Sequence, residues 1–435
     1  MSNSPIAASR QAYRARLLSF SADPAIDEKA LHWFEDGLLL IEGGRVLASG
    51  GYQELASQLL PDDEVQDLRP AIIMPGFIDS HVHYPQTDII ASPAEGLLPW
   101  LNTYTFPAER RFADPAHAAR VAEFFLDELI SNGTTSAMVY CTVHPSSVEA
   151  FFQASQQRNL RMIAGKVLMD RHCPDFLQDT AEQGVADSLD LLQRWHGKGR
   201  QLYAITPRFA CTSSPAQMQL AGELAAAHPE VYLQTHVAEN KAEIDWAMSL
   251  YPEARSYLDI YERYQMLRPR AMYGHCIWLD QQDRQRLRET GAAAAVCPSS
   301  NLFLGSGLFD FAEAQHSGFH HGLASDVGGG TSFSMLRTMN QAYKVARMHG
   351  HHLSATRMFY LATLGAAQAL GLQQQIGQLQ AGAEADFICL NPDATALLGR
   401  RCSQANSLEE LLFALALLAD DRCIERVYIA GQRQK

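Results

Sequence analysis

Apolar side chains along this chain come in short runs separated by stretches of helical period. Eight such runs occupy the middle, at residues 72–83, 134–140, 161–169, 201–208, 231–237, 271–275, 292–297 and 322–326. Runs of this length, bounded by turn residues, fit buried strands. The stretches between them carry helix start signals. Asp114-Pro115 offers an N-cap and a proline at the first helical position, Val121, Phe124, Phe125 and Leu129 recur on one face, and Asn132-Gly133 marks the end. Ser214-Pro215 opens another helix, and residues 354–371 frame a third. Strand and helix alternating eight times predict an α/β fold, a (β/α)8 barrel of the TIM type, in preference to a doubly wound sheet.

The two ends read differently. Residues 38–46 form a hairpin pattern around Glu42-Gly43-Gly44-Arg45, and residues 377–379, 385–390 and 426–430 read as strands. Each end alone has too few strands to bury a core. They are therefore expected to combine into one small β-sandwich domain, with residues 1–72 and 372–435 flanking a barrel of residues 73–371.

Composition narrows the partners. Thirty-five basic residues against 48 acidic ones give a formal net charge of −13, and no Lys/Arg cluster breaks that balance. Neither a nucleic acid nor an anionic membrane is expected, which leaves a small molecule. The eight cysteines stand at 141, 173, 211, 276, 297, 389, 402 and 423 without a C-x-x-C pair, so they read as reduced thiols in a cytoplasmic enzyme. The N-terminus has no apolar signal region, and no run approaches the ~18 apolar residues of a membrane span. No G-x-G-x-x-G follows the first strand, and Gly328-Gly329-Gly330 lacks the Lys-Ser/Thr of a phosphate loop.

Chemistry concentrates where the predicted strands end. In an extended segment His81 and His83 project to the same side, as half of a divalent-metal site. The fifth strand ends at His236, the sixth at His275 and the eighth at Asp326. In a barrel these ends share one face. Taken singly, His236 could be a hydrogen-bonded core residue, Asp326 a helix cap and His275 packing; their joint position makes the metal reading the stronger. Imidazoles and a carboxylate with an open position suit zinc, or iron, acting on a water whose pKa zinc brings to ~7. Glu239, three residues past His236, is placed for proton shuttling, against the duller role of capping a helix that begins near Asn240. His320-His321 and His351-His352 read as surface or loop residues.

Five stretches carry a family resemblance: HVHYPQTDIIASPAEGLLPWLNTYTFP from His81, TPRFACTS from Thr206, THVAEN from Thr235, CPSSNLFLGSGLF from Cys297 and ASDVGGGTSFSMLRT from Ala324. They resemble the deaminase branch of the amidohydrolase superfamily, and within it the guanine deaminase family, over nearly the whole chain. Ala238 departs from the pattern, since relatives often carry serine there; it is expected to shape the pocket without doing chemistry. The resemblance implies His81, His83, His236 and Asp326 as ligands of one Zn2+ per chain, with iron as the alternative. Binuclear relatives carry a bridging lysine on strand four, which here ends Thr206-Pro207-Arg208-Phe209, while Lys166 stands on strand three. Glu239, His275 and Asp326 are implied as catalytic. His83, Gln86, Arg208, Phe209, His236, Glu239 and Asp326 are implied around the substrate. Arg208 would donate to the purine carbonyl, Phe209 would cover its face, and the Gln86 amide could match a ring edge in either sense.

The implied reaction is attack of metal-activated hydroxide on C2 of guanine, giving xanthine and ammonia in purine catabolism and salvage, by a homodimer. Two alternatives stand beside it. One is a related deaminase or dechlorinase acting on another purine, a pterin or a triazine. The other is a non-catalytic scaffold like the dihydropyrimidinase-related proteins, which typically lose metal ligands retained here. The P-C-x-x-C half of the other deaminase signature is missing, which sets that fold aside.

Overall fold

The computed structural model describes residues 10–435; the first nine residues of the expected N-terminal part lie outside it. Sixteen strands follow in chain order: β1 Gln11–Phe20, β2 Leu31–Glu42, β3 Arg45–Gly51, β4 Val65–Pro75, β5 Phe77–His83, β6 Thr134–Tyr140, β7 Arg161–Gly165, β8 Val167–Leu168, β9 Gln201–Pro207, β10 Tyr232–Val237, β11 Ala271–His275, β12 Ala293–Val296, β13 His321–Leu323, β14 Phe387–Leu390, β15 Ile424–Ile429 and β16 Gln432–Arg433.

Eight of them form the barrel. The order β5-β6-β7-β9-β10-β11-β12-β13 is parallel throughout, with the short β8 paired to β9. Beyond β13 the chain closes the seam against β5, through Asp326 N–H to the His81 carbonyl (3.0 Å) and His83 N–H to the Val327 carbonyl (2.8 Å). Those bonds set two predicted ligands beside a third. The lower interior is filled by one side chain from each of seven strands, Ile78, Met138, Ile163, Ala204, Tyr232, Met272 and Ala293, over Ala366 and Ala367 of a C-terminal helix. A packed floor leaves the chemistry to the opposite mouth.

Both chain ends build the second sheet, in the order β16-β15-β14-β4-β1-β2-β3. Only the β1–β4 pair is parallel. Its two faces carry separate apolar clusters, one around Tyr13, Ile73 and Phe387 and one around Ala12, Leu38 and Leu40, giving a sandwich-like body. Glu384 ties it to the barrel floor, accepting from Arg161 Nε (2.8 Å) and Arg200 Nη2 (2.6 Å).

Several local expectations need correction. Residues 72–83 are two strands: Ile72 to Pro75 pairs with β1 and β14, and Gly76 separates it from the barrel strand. Residues 377–379 form no strand, and residues 354–371 hold two helices, Ala355–Leu361 and Leu364–Ala369. The helix Pro115–Ser131 starts as read, with Asp114 accepting from Ala116 N–H, but Phe124 is exposed. His321 is a buried residue of β13, not a surface one.

Candidate active site

Four side chains converge at the barrel mouth. His81 and His83 leave the end of β5 two residues apart, His236 stands near the end of β10, and Asp326 sits at the seam just after β13. The Nε2 atoms of His81 and His83 are 3.2 Å apart, as are those of His83 and His236. Asp326 Oδ1 lies 3.3 Å from His81 Nε2 and 3.4 Å from His83 Nε2. Ligand atoms ~2.0–2.1 Å from a tetrahedral centre are ~3.3 Å apart, so the donor set fits a single zinc-sized ion. Burial pushes the His83 and His236 imidazolium forms well down and lowers His81 as well. Neutral lone pairs this close repel one another, and a cation between them resolves the repulsion. His236 Nδ1 is 2.6 Å from the Arg208 carbonyl, which places its proton there and frees Nε2.

Asp326 stays ionised. Burial opposes its charge, but the contact with His81 and the positive charge favoured on His275 outweigh burial and hold the acid at about 2. Behind it, the fully buried Asp79 accepts from Ser325 N–H at 3.0 Å and from the Ser325 hydroxyl, so β5 and the segment after β13 are stapled together. His275 and Asp326 adopt left-handed backbone, with φ of 68° and 50°, as does Ala238 at 51°. A non-glycine residue there costs ~1–2 kcal/mol, held in place by the surrounding contacts.

His275 stands beside this cluster. Its Nδ1 is 2.8 Å from Asn301 Oδ1, and its Nε2 is 3.3 Å from Glu239 Oε2 and 3.8 Å from Asp326 Oδ2. Burial opposes its protonation, yet the charges of Glu239 and Asp326 win and raise it. Glu239 moves the same way for a carboxyl: burial is the main cause, and its acid rises to about 7. Glu239 is not a cap. Asn240 caps the helix Lys241–Leu250 in a capping box with Glu243, and Glu243 also accepts the Glu239 N–H at 3.1 Å. Ser306 donates to Glu239 Oε1 at 2.8 Å, which aims the other oxygen at His275.

A small cavity opens on this cluster, and Gln86, Arg208 and Phe209 share its lining with His83, His236, Glu239, His275 and Asp326. His81 is the one predicted site residue behind that lining. Leu97, Trp100 and Leu101 also line it. Arg208 is almost wholly buried, and its Nη1 donates to both oxygens of Glu109, at 2.8 and 2.7 Å. Glu109 was missed in the sequence: within Pro107-Ala108-Glu109-Arg110-Arg111 it reads as a solvated charge, and nothing local signals burial. Glu243 and Ser306 were missed for the same reason. Lys166, between β7 and β8, is buried against Asp179 and away from the ligands. Cys297 lies close to His81, His275 and Asp326, but its thiol points to the Ala295 carbonyl at 3.5 Å and burial pushes its pKa well up, which leaves it a poor ligand.

A model of the amidohydrolase family matches residues 72–433. The chain is 47% identical over 403 residues to the guanine deaminase of Escherichia coli K12, covering 93% of this chain and 92% of that protein. It is 39% identical over 426 residues to a probable guanine deaminase of Deinococcus radiodurans, covering 96% and 97%. The solved structure of the Escherichia coli enzyme superposes with a TM-score of 0.94 at 44% identity, covering 98% of this chain and 99% of that one.

Proposed function

The chain belongs to the amidohydrolase family, and we propose that within it this protein hydrolyses guanine to xanthine and ammonia. One observation carries the reading: a single cavity is lined both by Glu239 and His275, beside the ligand cluster, and by Arg208, Gln86 and Phe209. That is a proton-transfer pair sharing a cavity with groups suited to a flat carbonyl heterocycle. The Arg208–Glu109 pair is charge-neutral, so the wall favours a neutral ligand over an anion.

His81, His83, His236 and Asp326 would hold one divalent ion, zinc in our reading with iron as the alternative. When bound, that ion supplies Lewis-acid activation of water. The protein's own groups do the rest. Glu239, whose acid lies near 7, takes a proton from the water and delivers it to N3 as the water oxygen joins C2. His275, fixed by Asn301, orients the attacking oxygen. The remaining hydroxyl proton passes to the exocyclic nitrogen, the C2–N bond breaks, and the products are xanthine and ammonia. Arg208 donates to O6, and Phe209 covers the ring face. Leu97, Trp100 and Leu101 supply the apolar part of the lining.

No helix of the described residues is long and apolar enough to cross a membrane. A cytoplasmic setting belongs to the proposal, supported by eight cysteines without a disulfide. So does a homodimer, which light scattering on the purified chain tests. The deciding experiment is ammonia release from guanine, adenine, cytosine, a pterin and a chlorotriazine, with metal content measured on the same sample. Guanine should be the preferred substrate by a wide margin. Preference for any of the others would overturn the assignment.

A further inference from the structure

The sense of the Gln86 amide is settled by its neighbours. Its Oε1 accepts from Gly328 N–H at 3.1 Å, and its Nε2 faces Glu109 Oε1 at 3.4 Å. Turning the amide over would set an NH2 against an N–H and a carbonyl against a carboxylate. Both contacts repel, so the amide is held with its NH2 toward Glu109 and its carbonyl toward Gly328. The amide sense that the sequence left open is thereby fixed in the folded chain. Arg208 is donor-only by nature. With Nη1 held on both Glu109 oxygens, its other guanidinium nitrogens have no protein acceptor among the described residues. Trp100 lines the same cavity, and its buried indole N–H has no protein partner either. The cavity lining is therefore rich in donors, on Arg208, Trp100 and the Gln86 amide, while the Gln86 carbonyl is already engaged by Gly328.

Glu109 links these groups. It is fully buried on the short helix Phe106–Arg110, it accepts from Arg208, and it faces the Gln86 amide. We propose that Glu109 is a specificity-determining positioning residue: by holding Arg208 and Gln86 it makes the wall a receptor for a carbonyl edge and closes it to an exocyclic amine. It need not touch the substrate. The inference rests on the guanine reading and goes beyond it, naming the residue that sets the polarity of recognition.

The test compares guanine with 2,6-diaminopurine, which keeps the C2 amine and the ring but carries an amine in place of O6. Two facing donors leave polar groups unpaired, so wild-type kcat/KM should be at least ~100-fold lower for the diamine. Glu109→Gln frees Gln86 to turn and loosens Arg208; kcat/KM for guanine should fall, and the guanine-to-diamine ratio should narrow at least tenfold, with metal content unchanged. Glu109→Asp keeps the charge opposite Arg208 but withdraws the carboxylate from Gln86, and should narrow the ratio too, even if Glu109→Gln fails to fold. A merely structural role would lower both substrates together and leave the ratio intact. Wild-type enzyme that accepts the diamine as well as guanine overturns the proposal, as does a ratio within twofold of wild type in either folded variant. Absence of guanine turnover in the wild type would instead sink the functional reading itself.

Discussion

Replacing Glu239 by glutamine isolates proton transfer from everything else the site does. The variant keeps an oxygen for the Ser306 hydroxyl, 2.8 Å away, and puts an NH2 where Oε2 lies 3.3 Å from His275 Nε2. The Glu239 charge is the largest of those that lift His275 against burial, so its loss favours the neutral imidazole, which can accept from the new amide. Nothing is left buried and unpaired, so thermal stability should change by less than ~1 kcal/mol. Metal content should stay at the wild-type level, because the four ligands are untouched. What goes is a carboxyl with an acid near 7, able to take and return a proton at neutral pH. A group of that kind contributes ~10²–10⁴ in rate, or ~2.7–5.4 kcal/mol at 1.36 kcal/mol per decade. Ammonia release under saturating guanine measures the loss. The pH profile adds a second readout: only the ionised form accepts the proton, so wild-type kcat/KM should fall below about 7 or lower, where a bound cation pulls the group down, and the variant should lose that limb. Wild-type turnover in a metal-loaded Glu239→Gln sample would refute the role.

The other expectations test the frame around this chemistry. Gly274 lies against the His81 ring, and a Cβ there would sit 2.8 Å from His81 Cε1; Gly274→Ala should weaken metal affinity by ~10–100-fold in chelator competition, and unchanged affinity would refute the close fit. Elemental analysis of untreated protein should find one ion per chain, while His81→Ala or His236→Ala should lose metal and activity yet keep the folded circular dichroism spectrum; two ions per chain would contradict the four-ligand reading. Glu384→Gln should cost ~1–3 kcal/mol in denaturant unfolding, because it takes the carboxylate from the largely shielded Arg161 and leaves Arg200 with Asp386 alone. Burial opposes the Glu384 charge, but Arg161 and Arg200 outweigh it and hold the acid below the usual range, so its stabilisation is complete above an unfolded carboxyl's ~4.3 and is lost as pH falls through the lower folded value. The variant should lack that limb of the acid transition, and one identical to wild type would show the network to be idle.

The barrel was legible because each strand declares itself locally, through an apolar run with helix signals on either side. Where one element passes into another, local signals ran out: the apolar run at 72–83 is continuous, yet its first part pairs with strands from the far end of the chain. The ligands were legible for a related reason, since imidazoles and a carboxylate at strand ends are scarce chemistry in a recurring place. Glu109 had no such signal. Its role depends on Arg208, 99 residues further on, which the fold brings within 2.7 Å. A carboxylate among arginines is ordinarily a solvated charge, and burial alone turns this one into a fixed acceptor. The same holds for the Gln86 amide, whose sense follows from Gly328, 242 residues away. Residues that perform bond chemistry are limited to a few side-chain types and can be picked out by type. Residues that set recognition polarity act through what the fold places opposite them, so in this cavity the reader of the substrate's far edge emerges only once Glu109, Arg208, Gln86 and Gly328 are seen together.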